Sequence, residues 1–425
     1  MRSLRERLAA LQPSTPRAQR PAPVGVPIDA VERGRYLAGS VGEVFVVEQA
    51  REDHDLRALL EHAPLTPSLF VPDAPAVQPE EVVFLDTETT GLAGGTGTQV
   101  FLVGLGRFED DRLVVRQFFL RGPGEERALL DALGEALGPA RLLVTFNGRT
   151  FDWPLIEGRF ILHGYRPRFT FAHLDILPPA RRVWRHRLQT CTLGNLEANL
   201  FGVVRGEDVP GWLIPQLYFD YLRDGDARRL RPVFVHNRED VATLVRLTNL
   251  LVRAAAAPRA VLDHPADRAG LALLLLHRGE LMTGIDLLAD ALEEADLLPP
   301  DLRRRAEVEL SRWLKRLDRT PEAVPLWCRM CDRAARHEPL DLYPFEELAK
   351  YYEHQARDLV AAEQVVERAL RLLDLRGEYH GRRSLLHRLE RIRRKQAAAR
   401  VRGRRRGAGP DDRPTSERHT IEWRV

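Results

Sequence analysis

The stretch VVFLDTETTGLAGG, from Val82 to Gly95, places two carboxylates directly after four apolar residues and before a loop rich in Thr and Gly. A short apolar run between acids and a glycine-rich turn is typical of a strand buried on both faces, in a sheet covered by helices. Side chains two residues apart on a strand share a face, so we expect Asp86 and Glu88 to point the same way. The stretch therefore predicts two neighbouring carboxylates at the carboxyl end of a buried strand.

Two such acids have two interpretations. Like charges this close resist ionising together unless a cation lies between them, and hard oxygen ligands suit Mg²⁺ or Mn²⁺. An isolated Asp-x-Glu is more often part of a solvated turn, in which Asp and Thr cap the loop. Further carboxylates are needed to decide between the two.

The composition limits the class of protein. A chain of 425 residues predicts two or three domains, and three cysteines exclude a disulfide scaffold and fit a reducing compartment. The N-terminus has no apolar leader region, and the apolar run at 271–276 is too short to span a bilayer, so we expect a cytoplasmic protein without membrane contact. Lysine occurs only three times, so a single arginine is weak evidence for phosphate recognition.

Sequence patterns change along the chain and predict its organisation. Strand-like runs such as QVFLVGLGRFED and RLVVRQFFLRG, with a turn at Asp110-Asp111, alternate with helical runs such as GEERALLDALGEAL. This alternation favours an α/β domain with a mixed sheet flanked by helices, followed by an all-α region. The predicted segments are a basic, Pro-rich disordered tail at 1–25, a small segment packed on the α/β domain at 26–78, the α/β domain at 79–255, helical hairpin repeats at 260–378, and a basic helix with a disordered tail at 379–425.

The helical region shows an internal spacing. Gly284, Ala323 and Ala362 lie 39 residues apart, and several large apolar positions follow the same spacing. Small residues where helices approach and large ones where they pack predict stacked helical hairpins, which resemble tetratricopeptide repeats. The alternative is an irregular helical bundle in which the spacing arose by chance.

Two more acids and a histidine lie in the α/β segment. Asp152 follows the apolar strand of VTFNGRTFD, where a helix is expected to begin, and Asp240 lies near the expected start of the helix in HNREDVATL. An acid after a strand can project over the carboxyl edge of the sheet, where ligands of open α/β sheets bind. His236 precedes Asp240 by four residues, so the two share a face if that turn is already helical.

The order DTETTGL, FNGRTFD and HNREDVATL resembles the three motifs of the DEDD exonuclease superfamily, whose domain has the ribonuclease H-like fold. The longer match, with HLDILPPARRVWR and TCTLGNLEANLFGV, resembles the YprB-like branch of that superfamily, which joins such a domain to tetratricopeptide-like helices. The resemblance covers about residues 79–255 and implies a 3′–5′ exonuclease acting on the single-stranded 3′ end of DNA or RNA. The 39-residue spacing of the helical region predicts a separable module that binds a protein partner or guides the nucleic acid.

The resemblance also implies the site. Asp86, Glu88, Asp152 and Asp240 would hold two Mg²⁺ or Mn²⁺ ions about 3.5–4 Å apart, the arrangement of two-metal phosphodiester hydrolysis. His236 would be the general base, since an imidazole pKa near 6.5 suits that role. Its spacing, however, is that of the branch that uses tyrosine, so the metals alone could activate the water. The residues with an implied role in substrate binding are Thr89, Gly91, Leu92, Asn147 and Phe151.

The sequence is also compatible with a second class of function. A catalytically silent nucleic-acid-binding module, with helical repeats that recruit a partner, would have the same fold. An intact set of four carboxylates favours the enzyme, because a protein that only binds has little use for them.

Overall fold

A computed structural model describes residues 25–52, 58–62, 64–91, 97–166, 169–206, 208–336 and 340–406. Residues 1–24 of the predicted tail at 1–25 and residues 407–425 of the predicted helix and tail at 379–425 lie outside these ranges. Contacts between residues divide the chain into two compact units, Met1–Pro299 and Pro300–Val425.

The first unit is built on a mixed sheet of seven strands, in the order β1-β2-β5-β4-β3-β6-β7. Strands β3, β6 and β7 are parallel to one another, and the other neighbours are antiparallel. This confirms the predicted mixed sheet. The strands are β1 Gly34–Ala38, β2 Glu43–Arg51, β3 Val82–Thr89, β4 Val100–Glu109, β5 Arg112–Phe119, β6 Leu142–Thr145 and β7 Ala172–Asp175. The segment predicted to pack on the domain thus contributes two strands to the sheet itself.

Strand β3 lies inside the sheet between β4 and β6, and its four apolar residues are at most 2% exposed. Burial on both faces follows from the helices that cover the sheet. The turn between β4 and β5 is the predicted one, and Asp110 and Asp111 both have positive φ, 46° and 61°. Two successive left-handed residues match the twist of a two-residue hairpin, and Asp tolerates that conformation well.

Helices of the first unit cover the sheet and extend beyond it. They are α1 Glu126–Leu137, α2 Asp152–Leu162, α3 Leu177–Leu188, α4 Leu193–Phe201, α5 Ile214–Asp224, α6 Arg231–Ala256, α7 Pro258–Val261, α8 Pro265–Arg278 and α9 Leu281–Glu293. Helix α8 packs on both α3 and α9. A Cβ atom at Gly270 of α8 would lie 2.5 Å from the Arg182 carbonyl oxygen of α3, so only glycine permits this approach.

Helix α6 crosses β3 and β4 at close range because β4 carries two glycines there. A Cβ atom at Gly104 would lie 2.3 Å from Asn237 Oδ1, and one at Gly106 would lie 2.6 Å from Val241 Cγ1. The sequence prediction that Asp240 lies near the start of its helix is wrong. The helix begins at Arg231, because Pro232 is tolerated in a first turn, where its missing N–H has no acceptor to lose. Asp240 therefore lies inside a helix whose middle contacts the end of β3.

The second unit consists of helices in its described part. They are α10 Pro300–Arg316, α11 Thr320–Arg336, α12 Tyr343–His354, α13 Leu359–Arg376 and α14 Arg382–Arg406, and each packs on the next. This confirms an all-α region, including the basic helix near its end. Residues at the 39-residue spacing are buried: Ala323 and Ala362 are 0% exposed, as are Trp327 and Val366. Their likeness to tetratricopeptide repeats stays a prediction.

No helix in the described ranges is both long and apolar enough to cross a membrane.

Candidate active site

The carboxyl end of β3 presents Asp86 to helix α6. The buried Asn237 side chain donates from Nδ2 to Asp86 Oδ2 at 2.8 Å and to the Asp86 carbonyl oxygen at 3.3 Å. Asn237 Oδ1 in turn accepts from Gln117 Nε2 of β5 at 2.8 Å. Because Gln117 and Asn237 are both 0% exposed, this chain of amides fixes the orientation of Asp86 from the side of the core.

His236 and Asp240 share one face of α6, as their spacing predicts for a helical turn. His236 Nε2 lies 3.5 Å from Asp240 Oδ2 and 4.0 Å from Glu88 Oε1. Its other ring nitrogen, Nδ1, is 2.6 Å from Asp208 Oδ1 and donates to that carboxylate. Asp208 therefore holds the imidazole with Nε2 directed at the acids.

Arg205 also contacts the acids of this site, and sequence reasoning did not predict it. Its guanidinium donates from Nε to Glu197 Oε2 at 2.7 Å, and its Nη1 lies 2.6 Å from Asp240 Oδ1. Its Nη2 is buried and has no hydrogen-bond partner within the described part of the chain. Nothing in the sequence distinguishes this residue from the many other arginines, because its partners come from α4 and α6.

Asp152 is the first residue of α2 and is only 7% exposed. It contacts Thr87, which lies between Asp86 and Glu88 on β3. Thr87 Oγ1 donates to Asp152 Oδ1 in a short hydrogen bond. The preceding loop is held by Asp175 at the end of β7, which accepts from the backbone N–H of Asn147 at 2.8 Å and of Arg149 at 3.2 Å. Asn147 itself has φ of 63°, a conformation that Asn adopts more readily than most residues. Asp175 thus positions the loop that leads to Asp152.

Burial and mutual repulsion raise the pKa of these acids. Desolvation raises the pKa of Asp86 well above its usual value, and the charges of Asp240, Glu88 and Asp152 add to it. The pKa of Glu88 is raised in the same way, and desolvation brings the pKa of Asp152 to about 6. The pKa of Asp240 is also raised by burial, although His236 and Arg205 oppose that effect. Four buried carboxylates therefore interact within one region of negative potential.

The donor set fits hard divalent cations in chemistry, since such ions prefer carboxylate oxygens and would relieve the repulsion among the acids. Among the described residues, however, no three His, Cys, Asp or Glu side chains are grouped so that they could hold one ion. Protein groups contact three of the carboxylates: Asn237 binds Asp86, Arg205 binds Asp240 and Thr87 binds Asp152.

Of the remaining predicted residues, Thr89 and Gly91 lie at the carboxyl end of β3. Thr89 is buried and donates from Oγ1 to the Gly91 carbonyl oxygen at 2.8 Å. Phe151 directly precedes α2 and is half-buried. Leu92 lies outside the described residues. The roles of these residues in substrate binding stay predictions.

The mixed sheet with its flanking helices defines a ribonuclease H-like protein, and a family model described as the RNase_H superfamily matches residues 83–252. The chain is also similar to a protein of Bacillus subtilis (strain 168) named "Uncharacterized protein YprB", with 34% identity over 293 residues and coverage of 68% of each chain. It therefore belongs to the ribonuclease H-like family that includes YprB.

Among solved structures, the family B DNA polymerase from the hyperthermophilic archaeon Pyrobaculum calidifontis aligns with 58% of this chain and 34% of its own. The identity is 16% and the TM-score is 0.36, a likeness that supports no argument about function. This chain matches about a third of the polymerase's length.

Proposed function

We propose that the first unit is a metal-dependent nuclease of the DEDD type, which removes nucleotides from the 3′ end of DNA or RNA. The ribonuclease H-like class generally comprises nucleases, which supports hydrolysis of nucleic acid as the activity. The observation that carries the proposal is the placement of His236 Nε2 between Glu88 and Asp240, while Nδ1 is held by Asp208. A histidine oriented in this way among acids is the arrangement of a general base.

Asp86, Glu88, Asp152 and Asp240 would hold two Mg²⁺ or Mn²⁺ ions once their carboxylates come closer together than they are in this structure, and such ions stabilise charge on a phosphodiester and lower the pKa of water. His236 takes the proton of the attacking water at Nε2, because Nδ1 already carries the hydrogen donated to Asp208. Asp208 then stabilises the imidazolium that forms. Asn237 keeps Asp86 in place during the reaction, through the hydrogen bond that its side-chain amide donates.

Arg205 supplies a further positive charge beside these acids. Its unpartnered Nη2 is buried, and it would donate to a non-bridging oxygen of the scissile phosphate only once it becomes exposed, since a guanidinium binds such oxygens well. Binding there would leave the contact of Nε with Glu197 intact.

The activity is tested with end-labelled single-stranded and duplex DNA and RNA, in Mg²⁺, in Mn²⁺ and in EDTA. We expect a ladder that shortens from the 3′ end, preferring single strands, and no cleavage in EDTA. Asp86→Asn should lower the rate at least about 10³-fold, because several kcal/mol of transition-state stabilisation depend on the metals. Asp110→Asn, in the exposed β4–β5 turn, is the matched control and should cleave like the wild type.

The silent binding module is the alternative outcome of the same experiment. Retention of labelled strands on the protein, without cleavage in either metal and without any effect of Asp86→Asn, would support that function and contradict the enzyme.

A further inference from the structure

The second unit contains a cavity of about 340 Å³ between its helices. Helices α10, α11, α12 and α14 contribute to its wall, so it belongs to the hairpin stack. Its wall includes Lys315, Lys350, Arg388, Arg391, Trp327 and Tyr351. A volume of this size is at the lower end of those that hold small-molecule ligands.

The wall of this cavity carries more positive than negative charge. Lys315 and Lys350 both donate to Glu347, the latter at 2.7 Å. Behind the wall, Glu353 is 0% exposed and accepts from Arg391 at 2.7 Å, with Arg388 at 3.2 Å and Lys395 at 2.7 Å. Five cations thus face two carboxylates, which leaves three positive charges uncompensated within the cluster.

The neighbouring cations also change the pKa values of the two glutamates. Burial alone would raise the pKa of Glu347, but hydrogen bonds from Lys315 and Lys350 outweigh it and lower the pKa. The pKa of Glu353 falls to about 2, because hydrogen bonds from Arg391 and Lys395 outweigh burial in the same way.

The choice of lysine here is unusual for this chain. Only three of its 64 basic residues are lysines, and all three, Lys315, Lys350 and Lys395, donate to this pair of glutamates. An ammonium is a compact charge with three donors on a flexible stem, whereas a guanidinium is a broad rigid fork. The three lysine side chains are 40–42% exposed, so their donors are able to turn from a carboxylate toward an entering anion.

A buried tryptophan lies beside the cavity as well. Trp327 is 0% exposed, and its indole Nε1 has no hydrogen-bond partner among the residues that the structure describes. Buried indole N–H groups usually find an acceptor, because leaving one unpaired costs free energy.

We propose that this cavity binds a phosphate monoester carried on a body of about mononucleotide size. The surplus cations of α10, α12 and α14 bind the phosphate oxygens, and Trp327 and Tyr351 line the space for the body. A free nucleotide and the phosphorylated end of a short oligonucleotide share this chemistry. The site uses residues of the second unit alone and does not depend on the nuclease activity.

Isothermal titration calorimetry on the full-length protein tests the proposal, in buffer depleted of metals by a chelating resin, because EDTA is itself a polyanion. The probes are AMP, inorganic phosphate, adenosine and a 5′-phosphorylated trinucleotide. We expect AMP to bind, phosphate to bind more weakly, and adenosine not to bind. A trinucleotide that binds more tightly than AMP would identify a strand end as the source of the phosphate, and the reverse order would identify a free nucleotide.

Variants with opposite expected effects make the test specific. Lys315→Gln with Lys350→Gln should weaken AMP binding at least about tenfold, since two charge-assisted contacts are lost. Glu347→Gln should strengthen it several-fold, because two lysines are released from a carboxylate. Arg393→Gln is the matched control on α14, since Arg393 binds Glu363 and Glu367 and does not line the cavity.

Thermal melts of each variant check folding, and Lys350→Arg provides a charge-preserving substitution if the double variant fails to fold. The proposal is overturned if no phosphate monoester binds the wild type, or if Glu347→Gln weakens binding while remaining folded. Tighter binding of an acidic peptide than of any phosphorylated probe would also overturn it, in favour of a protein ligand.

Discussion

His236 and Asp208 are expected to work as one unit, because the carboxylate touches only one nitrogen of the ring and leaves the other facing the acids. His236→Ala should lower turnover about 10²- to 10⁴-fold, the usual contribution of a general base. Asp208→Asn should lower it about 10- to 100-fold, as is common for residues that orient a functional histidine.

The double variant distinguishes this linkage from two separate effects. Since Asp208 acts through the imidazole, single-turnover rates of the double variant should equal those of His236→Ala. A further loss in the double variant would assign Asp208 a separate role, and an unaffected His236→Ala would leave water activation to the metals alone.

Glu353 makes the second unit sensitive to acid. Its pKa is depressed in the folded state to about 2, from an ordinary value of 4.5, so its contribution to stability is complete above the ordinary value and is lost as pH falls toward 2. The loss should amount to a few kcal/mol, since each pKa unit corresponds to about 1.4 kcal/mol. Urea unfolding between pH 6 and pH 2.5 should show this loss in the wild type and a smaller one in Glu353→Gln. If the free energy of unfolding falls equally with pH in the wild type and in Glu353→Gln, the Glu353 carboxylate is not the cause of the acid sensitivity.

At the scale of elements, the contact of α6 with β4 depends on a missing side chain. Gly104→Ala places a methyl group 2.3 Å from Asn237 Oδ1, so the helix must shift or Asn237 must release Asp86. We expect the free energy of unfolding to fall by about 1–3 kcal/mol, as at other overpacked sites, and the metal affinity to fall as well. Gly158→Ala in α2 is the control, because nothing lies within 4 Å of the added atom and alanine favours a helix. Chemical denaturation and metal titration measure both effects.

The elements also show what could be predicted from sequence. Strand β3 and the β4–β5 hairpin were predictable because an apolar run and an Asp-Asp turn are local signals. The start of α6 was not, because its first turns carry polar residues that become buried only against the sheet, such as Asn237. Arg205 and Asp208 could not be found either, since their role arises from a loop that meets α6 in space.

For the whole molecule, the division at Pro299 decides where the chain can be cut. Residues 1–299 should fold and keep nuclease activity on short oligonucleotides, whereas residues 1–259 should not. The shorter chain loses α8, which packs on α3 and contributes Asp267, the buried partner of Arg187. Circular dichroism melts and cleavage rates of the two truncations test this. A stable, active 1–259 fragment would show that α8 and α9 are dispensable to the first unit.

The strand order also has a consequence for how the chain acquires its structure during synthesis. Strand β2 hydrogen-bonds to β5 along Phe45–Arg51, yet β5 leaves the ribosome only after β3 and β4 have emerged. An isolated hairpin such as β1–β2 is only marginally stable in water. The edge of β2 that pairs with β5 stays unpaired until β5 has been synthesised. We therefore expect the β3–β4–β5 meander to form first, and the amino-terminal hairpin to be the part of the nascent sheet most exposed to aggregation and to chaperones.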